Sequence, residues 1–281
     1  MSPSQIQRLP SNSAGKDYVV GDLHGCFDLL ERLMAHVNFD KSCDRLFSVG
    51  DLIDRGPSSL NCLELLAEPW FYAVQGNHEL MMLDFFASYI VSGKLENLDD
   101  HSNNGFLVYG GDWIEDHFHP DKQSMSPEFN RCLVRTLDLP LLLVVGEEDN
   151  RFHVIHAELV RPNLKSSKHF VWLDSDIDQW VEEQSIHPVI QDRLYWGRKL
   201  QSSQWANTKI QHGLSTTYCG HTYTERPQQA LSHLCIDTGA FLTLGQIDKD
   251  DGYGLTLVDA QTSSWFSAAY ESSEIATGVC S

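Results

Sequence analysis

The sequence predicts an α/β fold in which the first strands form a parallel sheet. Two observations support this prediction. In the first ninety residues, short apolar runs alternate with helical stretches, which is the pattern of βαβ units. Each apolar run also ends abruptly in a polar motif that contains Asp, Asn or His. Ligands bind beyond the carboxyl ends of the strands in such sheets, so the motifs are predicted to share one site.

Six short apolar runs are predicted to be buried strands. They are residues 18–20, 46–49, 71–74, 152–155, 216–219 and 234–236. Between the early runs, two stretches repeat apolar residues at helical spacing and predict amphipathic helices. Their apolar positions are Leu29, Leu30, Leu33, Met34 and Val37 in the first stretch and Leu60, Leu63 and Leu66 in the second.

The organisation of the chain indicates one folded unit. No linker-like tract of Pro, Gly and Ser divides the 281 residues, and no internal repeat is present. We predict a single catalytic domain over residues 15–270, with a flexible N-terminus over 1–14 and a flexible tail over 271–281. An acidic stretch from Asp174 to Glu183 is expected to be a solvated helix.

The charge and the cysteine pattern limit the partners and the compartment. A net charge of −19 argues against general nucleic-acid binding, which depends on clustered Lys and Arg. The longest apolar run, Leu141 to Val145, is far too short to span a bilayer. The seven cysteines are odd in number and include no C-x-x-C pair, which is typical of a reducing compartment. We therefore expect a soluble cytoplasmic protein that binds neither nucleic acid nor membranes. We also expect a monomer.

The polar residues that follow the predicted strands form a set suited to metal binding. Carboxylates, imidazoles and an amide oxygen together favour a pair of borderline-to-hard divalent ions, and no cysteine belongs to the set. The candidate ligands are Asp22, His24, Asp51, Asn77, His156 and His221. Asp51 is central in the series and is the candidate bridge between two ions. Such a pair lowers the pKa of a bridging water and supplies hydroxide near neutral pH.

Residues beside the candidate ligands can supply a proton and positive charge. His78 is the candidate general acid for a leaving oxygen, and Asp54 can orient it and hold it protonated. Arg55 can bind phosphate oxygens through its forked guanidinium. Single residues have simpler interpretations: Asp54 and Arg55 as a surface salt bridge, and His221 as a buried structural histidine. The accumulation of six ordered motifs favours a shared catalytic site over these alternatives.

These motifs resemble those of the phosphoprotein phosphatase family of metallophosphoesterases, especially the bacterial and bacteriophage-lambda-type serine/threonine phosphatases. The matching segments are Gly21–Gly25, Gly50–Gly56, Gly76–Glu79, His156–Ala157 and Gly220–Thr222, with further likeness at Tyr195–Arg198 and Asp237–Ala240. The resemblance extends from about Tyr18 to about Thr243, which is most of the chain.

The resemblance implies a metallophosphoesterase fold, in which two mixed β-sheets pack as a sandwich and are flanked by helices. It also implies two divalent ions, manganese in the first place, with iron, zinc, nickel and cobalt as alternatives. The implied ligands are Asp22, His24 and Asp51 for one ion, and Asp51, Asn77, His156 and His221 for the other.

The resemblance further implies roles for residues around the ions. His78 and Asp54 would form the proton-donor pair. Arg55 and Arg198 would bind the phosphate group, and Arg193 is the alternative to Arg198. The implied reaction is hydrolysis of phosphate monoesters on phosphorylated proteins or peptides, at Ser/Thr and also at Tyr or His, by direct attack of the bridging hydroxide.

Two other functions are compatible with the same motifs. A symmetrical dinucleoside tetraphosphate hydrolase shares most of them, but that group typically has Ala in place of Asp54 and Asp in place of Glu79. These two residues therefore favour the protein phosphatase. A non-catalytic interaction protein with the same fold is the second alternative. It is disfavoured because every ligand position and the proton donor are filled.

Overall fold

The computed structural model describes residues 5–95, 105–161, 170–200, 210–245, 252–270 and 272–280. Within these ranges, two large mixed sheets pack face to face, and helices lie on both outer faces. This is the α/β sandwich that the family resemblance implies. A small two-stranded sheet accompanies them.

The secondary structure elements follow one another in a regular alternation only in the first part of the chain. The strands are β1 (Ile6–Leu9), β2 (Asp17–Val20), β3 (Arg45–Ser48), β4 (Phe71–Ala73), β5 (Phe118–His119), β6 (Ser124–Met125), β7 (Leu142–Val145), β8 (Phe152–Ile155), β9 (Thr216–Cys219), β10 (Gln228–Ala230), β11 (His233–Cys235), β12 (Leu255–Asp259), β13 (Ser264–Ala268) and β14 (Ile275–Val279). The helices are α1 (Phe27–His36), α2 (Ser59–Glu64), α3 (Asn77–Phe85), α4 (Ala87–Ser92), α5 (Gly105–Val108), α6 (Pro127–Thr136), α7 (Asp174–Glu183) and α8 (Pro188–Trp196). In the described part of the chain, no helix has both the length and the apolar character needed to cross a membrane.

The first sheet has the strand order β14-β13-β12-β2-β3-β4. Strands β2, β3 and β4 are parallel, and α1 and α2 connect them, so the predicted βαβ start of the chain is confirmed. The six predicted strands are all present, as β2, β3, β4, β8, β9 and β11, with ends that differ by one residue at most. These short runs are recognisable because each is almost completely buried on both faces.

The second sheet has the strand order β1-β7-β8-β9-β11-β10. Strand β9 pairs in parallel with both β8 and β11, so the carboxyl ends of these three strands lie at one edge. This edge carries the residues that follow β8, β9 and β11 in the sequence.

Side chains from both sheets form a shared apolar core between them. Phe47 of the first sheet packs edge-on against Phe152 of the second, with ring centroids 5.5 Å apart. Val19, Val154 and Val258 are fully buried in the same layer. Each such side chain contributes about 1.5–3 kcal/mol when it is removed from water. The core therefore fixes the two sheets relative to each other and brings their strand ends together.

The structure differs from the prediction at both chain ends, where flexible segments over 1–14 and 271–281 were expected. Residues Ile6–Leu9 form β1, which pairs in parallel with β7, and Ile275–Val279 form β14, which pairs with β13. The physical reason is that both are edge strands. Pairing satisfies backbone groups that an unpaired edge would leave open, and Ile6 is buried at 3% exposure.

The acidic stretch before Arg198 forms α7, as expected, but this helix is more than a solvated surface element. Ile177 and Trp180 are buried against the second sheet. Among its carboxylates, Asp176 binds Arg161 and Asp174 accepts hydrogen bonds from the backbone N–H and hydroxyl of Ser215. The acidic residues therefore fasten the helix to its neighbours.

Candidate metal centre

The six candidate metal ligands lie together at the edge where strands of both sheets end. The first sheet supplies residues after β2, β3 and β4, and the second supplies residues after β8 and β9. The set is Asp22, His24, Asp51, Asn77, His156 and His221, and each is at most 6% exposed. Buried polar side chains need compensating partners, so a dense group of this kind requires a physical explanation.

The backbone around the ligands adopts an unusual conformation. His24, Asp51, Asp54, Arg55 and His221 all have φ between 42° and 72°, in the left-handed region that non-glycine residues rarely occupy. Holding such residues costs on the order of 1–3 kcal/mol each, and such strain clusters at functional sites. Hydrogen bonds between neighbouring loops enforce it: His24 N–H donates to the carbonyl of Asp51 at 2.8 Å.

Two glycines let backbone approach the carboxylates closely. A Cβ on Gly220 would overlap Oδ1 of Asp22, and a Cβ on Gly76 would overlap Oδ1 of Asp51. The glycines in these motifs are therefore required by space at the site.

Asp51 lies at the centre of the cluster. Its Oδ2 is 3.6 Å from Nε2 of His24, and its Oδ1 is 3.4 Å from Nε2 of His156. It belongs to two groups of side chains whose ligand atoms lie within 4.8 Å of one another: Asp51 with His24 and His78, and Asp51 with His156 and His221. Asp51 is therefore common to both groups.

The histidine rings are held so that their second nitrogen faces the cluster. Nδ1 of His24 donates to the carbonyl of Ile53, and Nδ1 of His156 donates to that of Val49, both at 2.9 Å. Burial lowers the pKa of both rings, so each is neutral and carries a lone pair on Nε2. This backbone anchoring is typical of metal-binding histidines.

The donor set fits a cation. Nε2 of His156 lies 2.8 Å from Oδ1 of Asn77, although both atoms are hydrogen-bond acceptors in these states. Nδ1 of His221 lies 2.8 Å from the same oxygen, and Nε2 of His221 is buried with no hydrogen-bond partner among the described residues. Two acceptor atoms at this distance repel each other, and a cation placed among them would offset this repulsion.

The carboxylates increase the need for positive charge. Burial, with the nearby charges of Asp237 and Asp51, raises the pKa of Asp22 well above its usual value. Burial likewise raises the pKa of Asp237 to about 6. Asp237 follows β11 at the same edge and is 3% exposed, but it was not among the predicted ligands. Its position after a predicted strand was the signal that could have found it.

The predicted proton donor and its partner are in direct contact. Nδ1 of His78 lies 2.6 Å from Oδ2 of Asp54. Burial lowers the pKa of His78, but the negative charges of Asp51 and Asp54 outweigh it and raise the pKa above the usual value. Nε1 of Trp113 donates to Oδ1 of Asp54 at 2.8 Å and fixes the carboxylate from its other side. Sequence spacing gave no signal for Trp113, because its segment resembles a surface loop.

The two predicted phosphate-binding arginines both border the cluster. Arg55 places Nη1 2.9 Å from Nε2 of His24 and Nη2 3.0 Å from Nε2 of His78. Its guanidinium also lies 4.3 Å from the ring centre of Phe241. Nη1 of Arg198 donates to the carbonyl of His221 at 3.2 Å. Arg198 therefore reaches the metal-ligand loops.

Arg193, the alternative to Arg198, points elsewhere. Its Nη1 lies 3.3 Å from Oε1 of the buried Glu158 and forms an ion pair with it. Of the two arginines, Arg198 is therefore the one that contacts the loop of His221.

Glu79 connects the two first-sheet loops. Its Oε2 accepts the backbone N–H groups of Asp51 at 2.9 Å and Gly76 at 2.8 Å, and its Oε1 accepts that of Leu52 at 2.8 Å. One buried carboxylate therefore holds the backbone on both sides of Asp51. An Asp at position 79 has one methylene fewer, so its carboxylate could not reach all three N–H groups without a shift of the backbone.

The fold and the site together define a metallophosphoesterase. Residues 18–225 match the family described as calcineurin-like phosphoesterase, and the chain belongs to this family. It is 31% identical over 252 residues to serine/threonine-protein phosphatase 1 of Salmonella typhimurium. The matched region covers 88% of this chain and 99% of the relative.

Two other comparisons are more limited. Over 68 residues, the chain is 48% identical to a symmetrical bis(5'-nucleosyl)-tetraphosphatase of Actinobacillus pleuropneumoniae. The matched region covers 24% of this chain and 25% of the relative. The crystal structure of a cold-active protein-tyrosine phosphatase of a psychrophilic Shewanella species has a TM-score of 0.55 at 13% identity, covering 97% of this chain and 82% of that one. The latter likeness shows the fold alone.

Proposed function

We propose that this protein is a metal-dependent phosphoprotein phosphatase that hydrolyses phosphate monoesters, at Ser/Thr and also at Tyr or His. The observation that supports this best is the position of Asp51 in two neighbouring ligand groups, with the His78–Asp54 pair beside it. A bacterial serine/threonine-protein phosphatase that is similar over nearly its whole length supports the choice of a protein substrate.

The proposed cofactor is a pair of divalent ions, manganese in the first place. One set of residues would be Asp22, His24 and Asp51, and the other Asp51, Asn77, His156 and His221. When bound, such ions lower the pKa of water and neutralise charge on a phosphoryl group. Three carboxylates lie at this edge of a chain with a net charge of −19, so cations also remove the repulsion that a phosphate would otherwise meet.

The proton donor in the proposed mechanism is Nε2 of His78. Asp54 holds the opposite nitrogen at 2.6 Å, stabilises the imidazolium and fixes the plane of the ring. Arg55 now contacts Nε2 of His78 and of His24 through its two Nη groups. On binding phosphate oxygens as a fork, Arg55 would leave Nε2 of His78, which would then take up a proton from solvent and pass it to the leaving oxygen.

The alternative function is symmetrical hydrolysis of dinucleoside tetraphosphates. It is favoured by one observation, the 48% identity to such an enzyme over a 68-residue segment. Asp54 argues against it, because this carboxylate is paired with His78 and Trp113 in a built proton-donor site. We propose further that the protein is monomeric and cytoplasmic and binds neither nucleic acid nor membranes.

The test is a substrate panel on purified, manganese-loaded protein. We expect turnover of phosphopeptides and p-nitrophenyl phosphate, with slower turnover of diadenosine tetraphosphate. Metal analysis by mass spectrometry should give two ions per chain. Faster symmetrical cleavage of diadenosine tetraphosphate would replace the proposed function by its alternative, and inactivity toward every substrate would favour a non-catalytic role.

A further inference from the structure

Glu158 is a fully buried carboxylate that the proposed mechanism does not use. It lies two residues after His156, where β8 leaves the sheet, and is 0% exposed. Its Oε2 accepts the backbone N–H of Lys199 at 2.7 Å and that of Leu200 at 2.9 Å. Both donors directly follow Arg198 in the chain. One buried side chain therefore binds the backbone of the loop that carries Arg198.

The neighbours of Glu158 make this attachment tight. Arg193 forms an ion pair with Oε1 and offsets the buried charge. Gly197 packs so closely that a Cβ there would overlap Cγ of Glu158. The N–H of Ala157 donates to the carbonyl of Leu194 at 2.8 Å, which ties the same strand end to the end of α8.

The other end of Arg198 is held separately. Its Nη1 donates to the carbonyl of His221 and, at 2.9 Å, to the hydroxyl of Thr222. Arg198 is otherwise an exposed side chain with several rotatable bonds, and ordering it costs conformational entropy. A fixed backbone below the side chain and a fixed acceptor at its tip reduce the number of arrangements that it can adopt.

We infer that Glu158 is a positioning residue for Arg198, holding its loop so that the guanidinium faces the phosphate group of the substrate. This inference rests on the proposed function, in which Arg198 binds phosphate. Glu158 acts on the backbone of the loop and does not touch the substrate itself. Its effect on turnover must therefore depend on the presence of the Arg198 side chain.

The test is a double-mutant cycle with Arg198→Ala and Glu158→Gln in manganese-loaded protein, with kcat/KM measured on a phosphopeptide. We expect Glu158→Gln to lower kcat/KM by about 10- to 100-fold, since small misplacements of a binding group have effects of this size. In the Arg198→Ala background, the same change should cost less than about twofold. Metal content should remain the same in all four proteins.

A matched control and a second variant keep the result interpretable. Glu147→Gln changes an exposed carboxylate that binds Arg8, and should leave kcat/KM unchanged. If Glu158→Gln does not fold, Glu158→Asp keeps the charge but shortens the reach, and the cycle is repeated with it. Equal losses in both backgrounds would show a merely structural role and overturn the inference alone. Full activity of Arg198→Ala would overturn both the inference and the phosphate role of Arg198.

Discussion

Buried histidines occur in two regions of this molecule, and they differ in what surrounds them. At the metal centre, Nε2 of His156 faces the oxygen acceptors of Asn77 and Asp51. In the second sheet, three residues earlier on β8, Nε2 of His153 accepts a hydrogen bond from Nε of Arg151 at 3.0 Å. Nε2 of His233, in β11, accepts the backbone N–H of Leu159 at the same distance.

The comparison shows that burial alone does not distinguish a ligand from a structural histidine. All three rings are at most 1% exposed, and burial lowers the pKa of each. The Nε2 lone pairs of His153 and His233 meet protein donors and are satisfied, which gives these two rings a structural role. A lone pair that meets only acceptors is stabilised by a cation. The position of each histidine along β8 accounts for the difference. His153 lies within the strand, whereas His156 follows the end of the strand.

The largest effect is expected at Asp51. Asp51→Asn removes one charge and one oxygen from the proposed shared ligand, so at least one ion should be lost. Turnover should fall roughly 10³- to 10⁵-fold, since a metal ion contributes several kcal/mol to transition-state stabilisation. Mass spectrometry of the purified protein measures the metal. Asp176→Asn, which changes a carboxylate of α7, should keep both ions, whereas two ions in Asp51→Asn would contradict the shared-ligand role.

The next effect is expected at His78. His78→Asn should retain metal and lose turnover roughly 10²- to 10⁴-fold with a phosphoserine peptide, whose leaving group needs a proton. The loss should be smaller with p-nitrophenyl phosphate, whose leaving group is already stable. His153→Asn is the matched variant from the second region and should lower stability but not kcat. Equal losses for both substrates in His78→Asn would argue against a general acid.

The structural histidines should instead determine the response of stability to acid. The pKa of His233 is about 4 in the folded state, against about 6.5 in an unfolded chain. Because the unfolded state binds this proton first, the stabilisation is complete above pH 7 and is lost as the pH falls from 6.5 toward 4.

Urea unfolding at pH 7 and pH 5 measures this contribution. Between these values, the free energy of unfolding should fall by about 2 kcal/mol through His233 alone. His233→Gln keeps an oxygen acceptor for Leu159 N–H but cannot titrate, so it should be less sensitive to acid by that amount. An unchanged pH dependence in His233→Gln would assign the acid sensitivity to other groups.

The smallest effect is expected at Trp113. Trp113→Phe removes the hydrogen bond to Asp54 and should lower kcat about tenfold, which is the size of one hydrogen bond to a charged group. KM and metal content should not change. Trp172→Phe is the control, because its indole N–H is buried without an acceptor among the described residues. A similar loss of kcat in both variants would attribute the effect to packing.

The sequence was sufficient to predict the parts of the site that are coded locally. Asp22, Asp51 and Asn77 each follow a short buried strand within a few residues, so strand and ligand are recognised together. The placement of these residues at one edge then follows from the parallel order of the strands.

The remaining parts depend on contacts between distant segments. Trp113 and Asp54 are 59 residues apart, and Glu158 and Lys199 are 41 residues apart, so no local pattern connects them. The same holds for β1 and β14, whose pairing partners decide that these terminal segments are ordered. Asp237 follows a predicted strand within a recognised motif, and its contact with the other carboxylates adds it to the site.

The left-handed backbone at the metal centre has a consequence for how this protein can evolve. At Arg55, whose side chain is exposed and whose φ is 71°, a glycine would relieve about 1 kcal/mol of strain while it removes the proposed phosphate ligand. Relief of backbone strain and the proposed phosphate contact therefore act in opposite directions at this position. A lineage selected only to remain folded could lose the guanidinium here at the cost of its contacts with His24, His78 and Phe241 alone.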